Sequence, residues 1–264
     1  PDARRKAADR FGCPVYDDYR RMLEEHALDL VVIVTRSSQH AAMACDCLKR
    51  GVNVLVTKPW ALHAAQAQTM MDAAAESGAL LMPWLPARTA SDLRRARELV
   101  LSGAIGRVFQ IVRCEHSFGL RNDWQTLKDY GGGYLLNWGP HLIDQPLCLA
   151  DSPVKSVYGY MKQLNNPGDA EDVFTAILRT QSDVLVIAEW SMAEGDLPGW
   201  IIKGDRGTIL IRWDTLELHE VTLPDEVDDK EYRQRPTVKT TTEKLRDANE
   251  FGESVRYGDS AEVY

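Results

Sequence analysis

The chain has 264 residues, 44% of them hydrophobic and 27% charged, a globular composition that excludes a disordered polymer. Its formal charge of -8 argues against a general nucleic-acid binder, and it has no uninterrupted apolar run of the ~18 residues that a membrane span needs. Five cysteines are too few and too scattered for a disulfide scaffold.

A helix-like run begins almost at once, from Asp2 to Phe11. Three short apolar runs follow: Asp29–Val34, Val52–Val56 and Ala79–Met82. The first two are rich in β-branched residues, the sign of strands buried on both faces. Between them lie Ala-rich segments with helical pairs such as Met43/Cys47 and Ala44/Leu48, and Gly51 and Gly78 stand where helix C-caps belong. Strands and helices alternating in this way predict right-handed βαβ units and a parallel sheet over residues 1–86. Cys45 and Cys47 form a C-x-C on the first of these helices, where they point to different sides, so no metal site is expected there.

After Pro83 and Pro86 the pattern changes. Ser91–Ser102 reads as an amphipathic helix with Ser91 as its N-cap, Val108–Cys114 as a strand, and Tyr134–Leu149 as a helix opened by Gly131-Gly132-Gly133. From Val154 onward strand-like runs dominate: 156–161, 173–179, 184–192, 200–203, 208–213 and 216–221, separated by polar turns. Residues 87–264 therefore predict an α+β domain with helices on one face of an open, mainly antiparallel sheet. Pro224–Glu231 reads as an acidic loop and 232–264 as an extended arm. The opening on Pro1 and the uncapped polar end both suggest a fragment of a longer gene product. A cytoplasmic location is expected, an upstream targeting segment being left open.

In an open α/β sheet, ligands sit beyond the C-terminal ends of the strands. One such end is Thr35-Arg36-Ser37-Ser38-Gln39-His40, a small polar loop into a helix N-terminus that suits a phosphate or ribose, or is an ordinary βα loop. A second is Thr57-Lys58-Pro59, where a lysine stands at the sheet rim beside a proline that restricts it to extended geometry. Such a lysine either meets a ligand or snorkels to solvent. The third constellation is Asn137, His141, Asp144 and Gln145, spaced as one helical face. Histidine titrates near neutral pH, so this stripe is either a catalytic cleft wall or a solvated face with a hydrogen-bonded histidine. Trp60, Trp84, Trp124 and Trp138 offer flat faces to sugar rings, although core packing is the commoner use.

Taken in order, Asp29–Thr35 with His40, Gly51–Pro59, Arg88, Gly103–Gly106 and Gly131–His141 with Asp144 resemble the Gfo/Idh/MocA family, named for glucose–fructose oxidoreductase, inositol dehydrogenase and a rhizopine catabolism protein. The resemblance covers about residues 1 to 215. It implies an N-terminal Rossmann domain and a C-terminal α/β domain whose open sheet builds homodimers or homotetramers. It implies NAD or NADP as cofactor and a sugar, cyclitol or related polyol as substrate. By the same resemblance Lys58 hydrogen-bonds the reacting oxygen and His141 is the acid–base group. Thr35, Ser37, His40, Lys58, Pro59 and Arg88 fall to the cofactor, and Trp124, Asn137, His141 and Asp144 to the substrate.

Three departures stand out. The family's Glu-Lys-Pro is Thr57-Lys58-Pro59, its aspartate four residues before the histidine is Asn137, and its asparagine near the third strand end falls at Pro86. No Gly-x-Gly-x-x-Gly occurs, so the chain as given is expected to hold a dinucleotide poorly. Two other readings share the scaffold: a non-catalytic dinucleotide- or sugar-sensing regulator, and a redox-assisted glycosidase.

Overall fold

The computed structural model describes residues 2–224 and 235–245. The chain divides into two compact units, Pro1–Trp84 and Leu85–Tyr264.

The first unit runs α1 (Asp2–Phe11), α2 (Tyr19–Glu25), β1 (Leu30–Ile33), α3 (His40–Leu48), β2 (Asn53–Thr57), α4 (Ala64–Ser77) and β3 (Leu81–Trp84). The three strands form a parallel sheet in the order β1-β2-β3, with Val32 opposite Leu55 and Leu55 opposite Met82. α3 packs on β1 and β2, α4 on β3, and the two helices on each other. Small residues at their contact, Ala44 and Ala73, let these helices approach the buried Ile33, Leu48, Val54, Val56 and Met70. Asp18 caps α2 by accepting from the Arg20 N–H, and Gly78 closes α4 in the left-handed conformation that the predicted C-cap requires. One expectation fails: β1 is not buried on both faces. Leu30, Val32 and Val34 are 45%, 53% and 70% exposed, because β1 is an edge strand and only the α3 side is covered among the described residues.

The second unit contains α5 (Ser91–Leu101), β4 (Val108–His116), α6 (Tyr134–Asn137), α7 (Gly139–Ala150) and seven further strands. These are β5 (Val154–Lys162), β6 (Val173–Thr180), β7 (Leu185–Ser191), β8 (Trp200–Gly204), β9 (Gly207–Arg212), β10 (Thr215–Thr222) and β11 (Thr237–Lys244). They form one sheet in the order β11-β10-β9-β8-β4-β7-β6-β5, antiparallel throughout except for the parallel pair β4–β7 at its middle. α7 lies on that pair. One sheet face carries the core, with Ile111, Phe174, Leu178, Val186, Ala188, Ile202, Ile209 and Leu216 all buried.

Three sequence expectations change here. The single helix predicted over 134–149 is broken at Trp138, because Pro140 has no N–H to continue the ladder from α6. The N-cap of α5 is Ala90, and Ser91 is the first helical residue, without a side-chain cap. Within the predicted arm, Thr237–Lys244 is a strand paired along its whole length with β10, Glu217 facing Thr242. The acidic loop, apart from Pro224, and the arm at 232–234 and 246–264 lie outside the described residues.

Candidate functional site

The parallel register sets Ile33 opposite Val56, so the loops that leave β1 and β2 emerge at one sheet edge. Thr57 Oγ1 donates to the Ile33 carbonyl at 3.0 Å and ties the two strand ends together. His40 makes the second tie. Its Nδ1 lies 2.8 Å from the Pro59 carbonyl oxygen and its Nε2 3.2 Å from that of Thr35, and the ring is 1% exposed. Ser37 is likewise buried, in a one-turn 3-10 helix. Of the residues assigned to a cofactor, His40 and Ser37 therefore shape the loop from inside, whereas Thr35 and Lys58 stand partly open at the rim. The Lys58–Pro59 peptide is cis. A hydroxyl, an ammonium and loop backbone at the C-terminal edge of a parallel sheet suit the nicotinamide–ribose end of a dinucleotide. The residues present include no glycine-rich phosphate loop.

In the second unit Asp123 caps the turn of Trp124 by accepting from the Gln125 N–H at 3.0 Å. Its carboxyl is held below the ordinary range, chiefly by the Arg121 guanidinium at 2.5 Å and also by that Gln125 N–H. Gln125 Oε1 in turn accepts from Asn137 Nδ2 at 2.7 Å, so the Asn137 amide has an amide partner. The glycines explain how the chain comes so close. A Cβ on Gly132 would lie 2.5 Å from the Gln125 carbonyl oxygen, and Gly133, at φ 104°, leaves room for the Glu171 carboxylate. That carboxylate accepts from the Leu135 N–H at 3.1 Å, at the positive end of the short α6.

His141 sits in the first turn of α7 and is 7% exposed, and Gln145 is buried with it, whereas Asn137 and Asp144 on the same stripe are partly open. Its ring stands edge-on to Trp138 at 6.2 Å. Trp138 stacks on Trp190 at 4.9 Å, and Trp190 on Tyr134 at 4.3 Å. Trp138 thus has the packing role. Trp124 is half-buried on its turn.

Arg88 and Asp144 meet each other in a two-pronged ion pair, Nε to Oδ2 at 2.8 Å and Nη2 to Oδ1 at 2.6 Å. Arg88 is 53% exposed, so this pair is worth less than about 1 kcal/mol to stability. Gln125 as the partner of Asn137 escaped the sequence reading, as did a buried arginine, Arg113, that reaches the histidine helix. The signal for Arg113 was present: Ile111, Arg113 and Glu115 share one strand face, and a charged pair in register with a core isoleucine is unusual. Among the described residues no group of three or more His, Cys, Asp and Glu could hold a metal, and no helix is long and apolar enough to cross a membrane.

Residues 1–84 match the model of an oxidoreductase family with an NAD-binding Rossmann fold, and residues 93–210 match the GFO/IDH/MocA C-terminal domain. An uncharacterised oxidoreductase of Schizosaccharomyces pombe is 28% identical over 207 residues, 74% of this chain and 56% of the relative. The chain thus spans little more than half the length of that relative. A scyllo-inositol 2-dehydrogenase (NADP(+)) of Bacillus subtilis is 25% identical over 58% of this chain and 43% of its own. Among solved structures, an NAD-binding protein of Listeria innocua superposes with a TM-score of 0.80 at 26% identity, over 99% of this chain and 79% of that one.

Proposed function

The chain belongs to the Gfo/Idh/MocA family of NAD-binding oxidoreductases, and from that premise we propose that the whole protein transfers hydride between a nicotinamide cofactor and a ring carbinol of a sugar, cyclitol or related polyol. The observation that carries the reading is the pair of groups it needs: Lys58 where β2 ends, and His141 recessed in the first turn of α7. The name of the Bacillus relative, an inositol dehydrogenase, supports the substrate class.

When bound, the nicotinamide supplies the hydride acceptor or donor. Thr35, Lys58 and Pro59 would hold it, on a loop that Ser37 and His40 brace. In the oxidative direction His141 takes the hydroxyl proton, and the Lys58 ammonium stabilises the developing alkoxide. Asn137 and Trp124 orient neighbouring hydroxyls, and Asp144 does so while paired to Arg88. In reduction the same groups act in reverse.

The test is nicotinamide absorbance at a polyol panel with the whole protein, its Lys58→Ala variant and its His141→Ala variant. Each substitution is expected to cost ~10²–10⁴ in turnover. Unchanged turnover in both removes the assignment. The neutral Asn137–Gln125 pair favours one other reading, a dinucleotide- or sugar-sensing regulator. Cofactor binding in calorimetry with no turnover on any polyol would establish that one instead.

The protein is further proposed to work as a homodimer or homotetramer through the sheet face opposite α7. Tyr158, Ile177, Ile187, Val112, Ile201 and Leu210 are successive cross-strand partners on that face, an apolar row with no fully buried member. A contiguous apolar row left partly open in this way suits an association surface.

A further inference from the structure

We propose that Arg113 is a positioning residue for His141, acting through the side chain of Gln145. The proposal rests on the acid–base reading of His141.

Arg113 lies in β4, at the middle of the sheet, and is 3% exposed. A buried guanidinium is costly to place unless its N–H groups are used. Here they are. Nε donates to Gln145 Oε1 at 2.9 Å, Nη2 to Glu115 Oε1 at 3.1 Å, and Nη1 to the carbonyls of Cys114 and Gly199 at 2.8 and 3.2 Å. The plane lies over the Trp200 ring at 4.8 Å, and Trp200 Nε1 donates to Asp92 Oδ2 at 2.7 Å. The cation is thus fixed from several sides, and one of its arms points at the histidine helix.

Gln145 stands one turn after His141 on the same helical face and is 1% exposed. Its oxygen takes the Arg113 bond, and its Nε2 donates to the Ala87 carbonyl at 2.8 Å. Ala87 adjoins Arg88, which grips Asp144 on the same turn of α7. Strand, helix and the 3-10 turn at Pro86–Thr89 are therefore joined at one amide.

The backbone ladder of α7 is thinned just beyond His141, because Pro146 inside the helix cannot donate to it. Pro146 leaves the Leu142 carbonyl without its usual i+4 donor. The side-chain tie through Gln145 sets the rotation of this turn, and with it the direction of the imidazole. A 1 Å misplacement of a reacting group can cost on the order of 10²-fold in rate, so such a tie bears on catalysis as well as on folding.

The test is a histidine-labelled carbon–proton NMR spectrum of the full chain, with the His141 signal assigned by His141→Ala. In Gln145→Met the Arg113 and Ala87 bonds are both lost. Its His141 signal is expected to move, while those of His26, His63 and His219 stay. In the whole protein with cofactor and polyol, kcat is expected to fall by ~10–100-fold and KM to change by less than about 3-fold. Gln145→Glu keeps an acceptor for Arg113 and is expected to recover most of both readouts. Should Gln145→Met fail to fold, Arg113→Lys decides. It keeps the charge and loses the Nε bond, so its His141 signal is also expected to move. A His141 signal at the wild-type position in a folded Gln145→Met or Arg113→Lys protein overturns the proposal, whatever happens to its melting point. Undiminished turnover in His141→Ala instead overturns the acid–base reading, whatever the spectra show.

Discussion

Asn137 shows how a single residue can be legible in type and hidden in use. Its position four residues before His141 is plain in the chain, and its partner Gln125 is not, because a glycine-lined reversal brings the two together. Arg88 and Asp144 are separated by 56 positions and hydrogen-bond to each other, a pairing that no local pattern announces. Lys58 and His141 stood out as candidates for a simpler reason: a charged or titratable group that ends a buried strand or faces inward on a helix is conspicuous against its apolar neighbours. Asp123 carries a prediction at this scale. Asp123→Ala removes the cap of the Trp124 turn and is expected to destabilise the second unit by roughly 0.5–2 kcal/mol at pH 7. Because the folded carboxyl is depressed, chiefly by Arg121, this contribution is present above the unfolded value. It is lost as pH falls through the lower folded value, so the melting-point gap between wild type and variant should narrow towards pH 3. A gap of constant size would show that the charge takes no part.

At the scale of elements, strands with one buried face were read well. β6, β7 and β9 alternate in burial residue by residue, although apolar residues such as Ile177, Ile187 and Leu210 also stand at their half-open positions, and it was their β-branched and apolar content that marked them as strands. β11 escaped because it has no buried face. Its Thr-Val-Lys-Thr-Thr-Thr-Glu-Lys is exposed almost throughout and exists as a strand through its backbone pairing with β10, supported by Arg95–Glu243 at 2.6 Å. β5 is also exposed along its whole length and was recognised through its Val and Tyr content. Both are edge strands. Their amides are therefore expected to exchange with deuterium well before those of β4 and β7, which lie at the sheet's centre under α7. Equal protection across the sheet, measured by native-state exchange, would contradict this order. The helix break at Trp138 was missed for a different reason. Periodicity tests which residues share a face and does not register a missing N–H at Pro140.

For the whole molecule, the alternation of apolar runs and Ala-rich segments led directly to the parallel sheet of the first unit. The rule that successive strands pair with their neighbours led to most of the second sheet. It failed at the centre, where β4 runs parallel to β7 and is joined to β8 from the other side. The chain passes through two helices and two strands between those partners. The apolar row on the open face yields the prediction for assembly. Ile187→Glu or Ile201→Glu puts a charge at its middle without touching α7. Each is expected to lower the sedimentation mass to that of a single chain, with the far-ultraviolet spectrum retained. A mass unchanged by both substitutions would take this face out of the assembly.

The order of most strands and helices (α2, β11 and the break at Trp138 excepted), the parallel character of the first sheet, the open antiparallel character of the second and the candidacy of Lys58 and His141 were legible in the linear chain. All of these depend on local periodicity or on residue type at an element's end. The tertiary structure alone decided the meetings between residues far apart in the chain: Asn137 with Gln125, Arg88 with Asp144, Arg113 with Gln145, and β11 with β10. Hydrogen-bond partners of this kind are chosen by direction and distance in space, and a linear pattern of side chains carries neither.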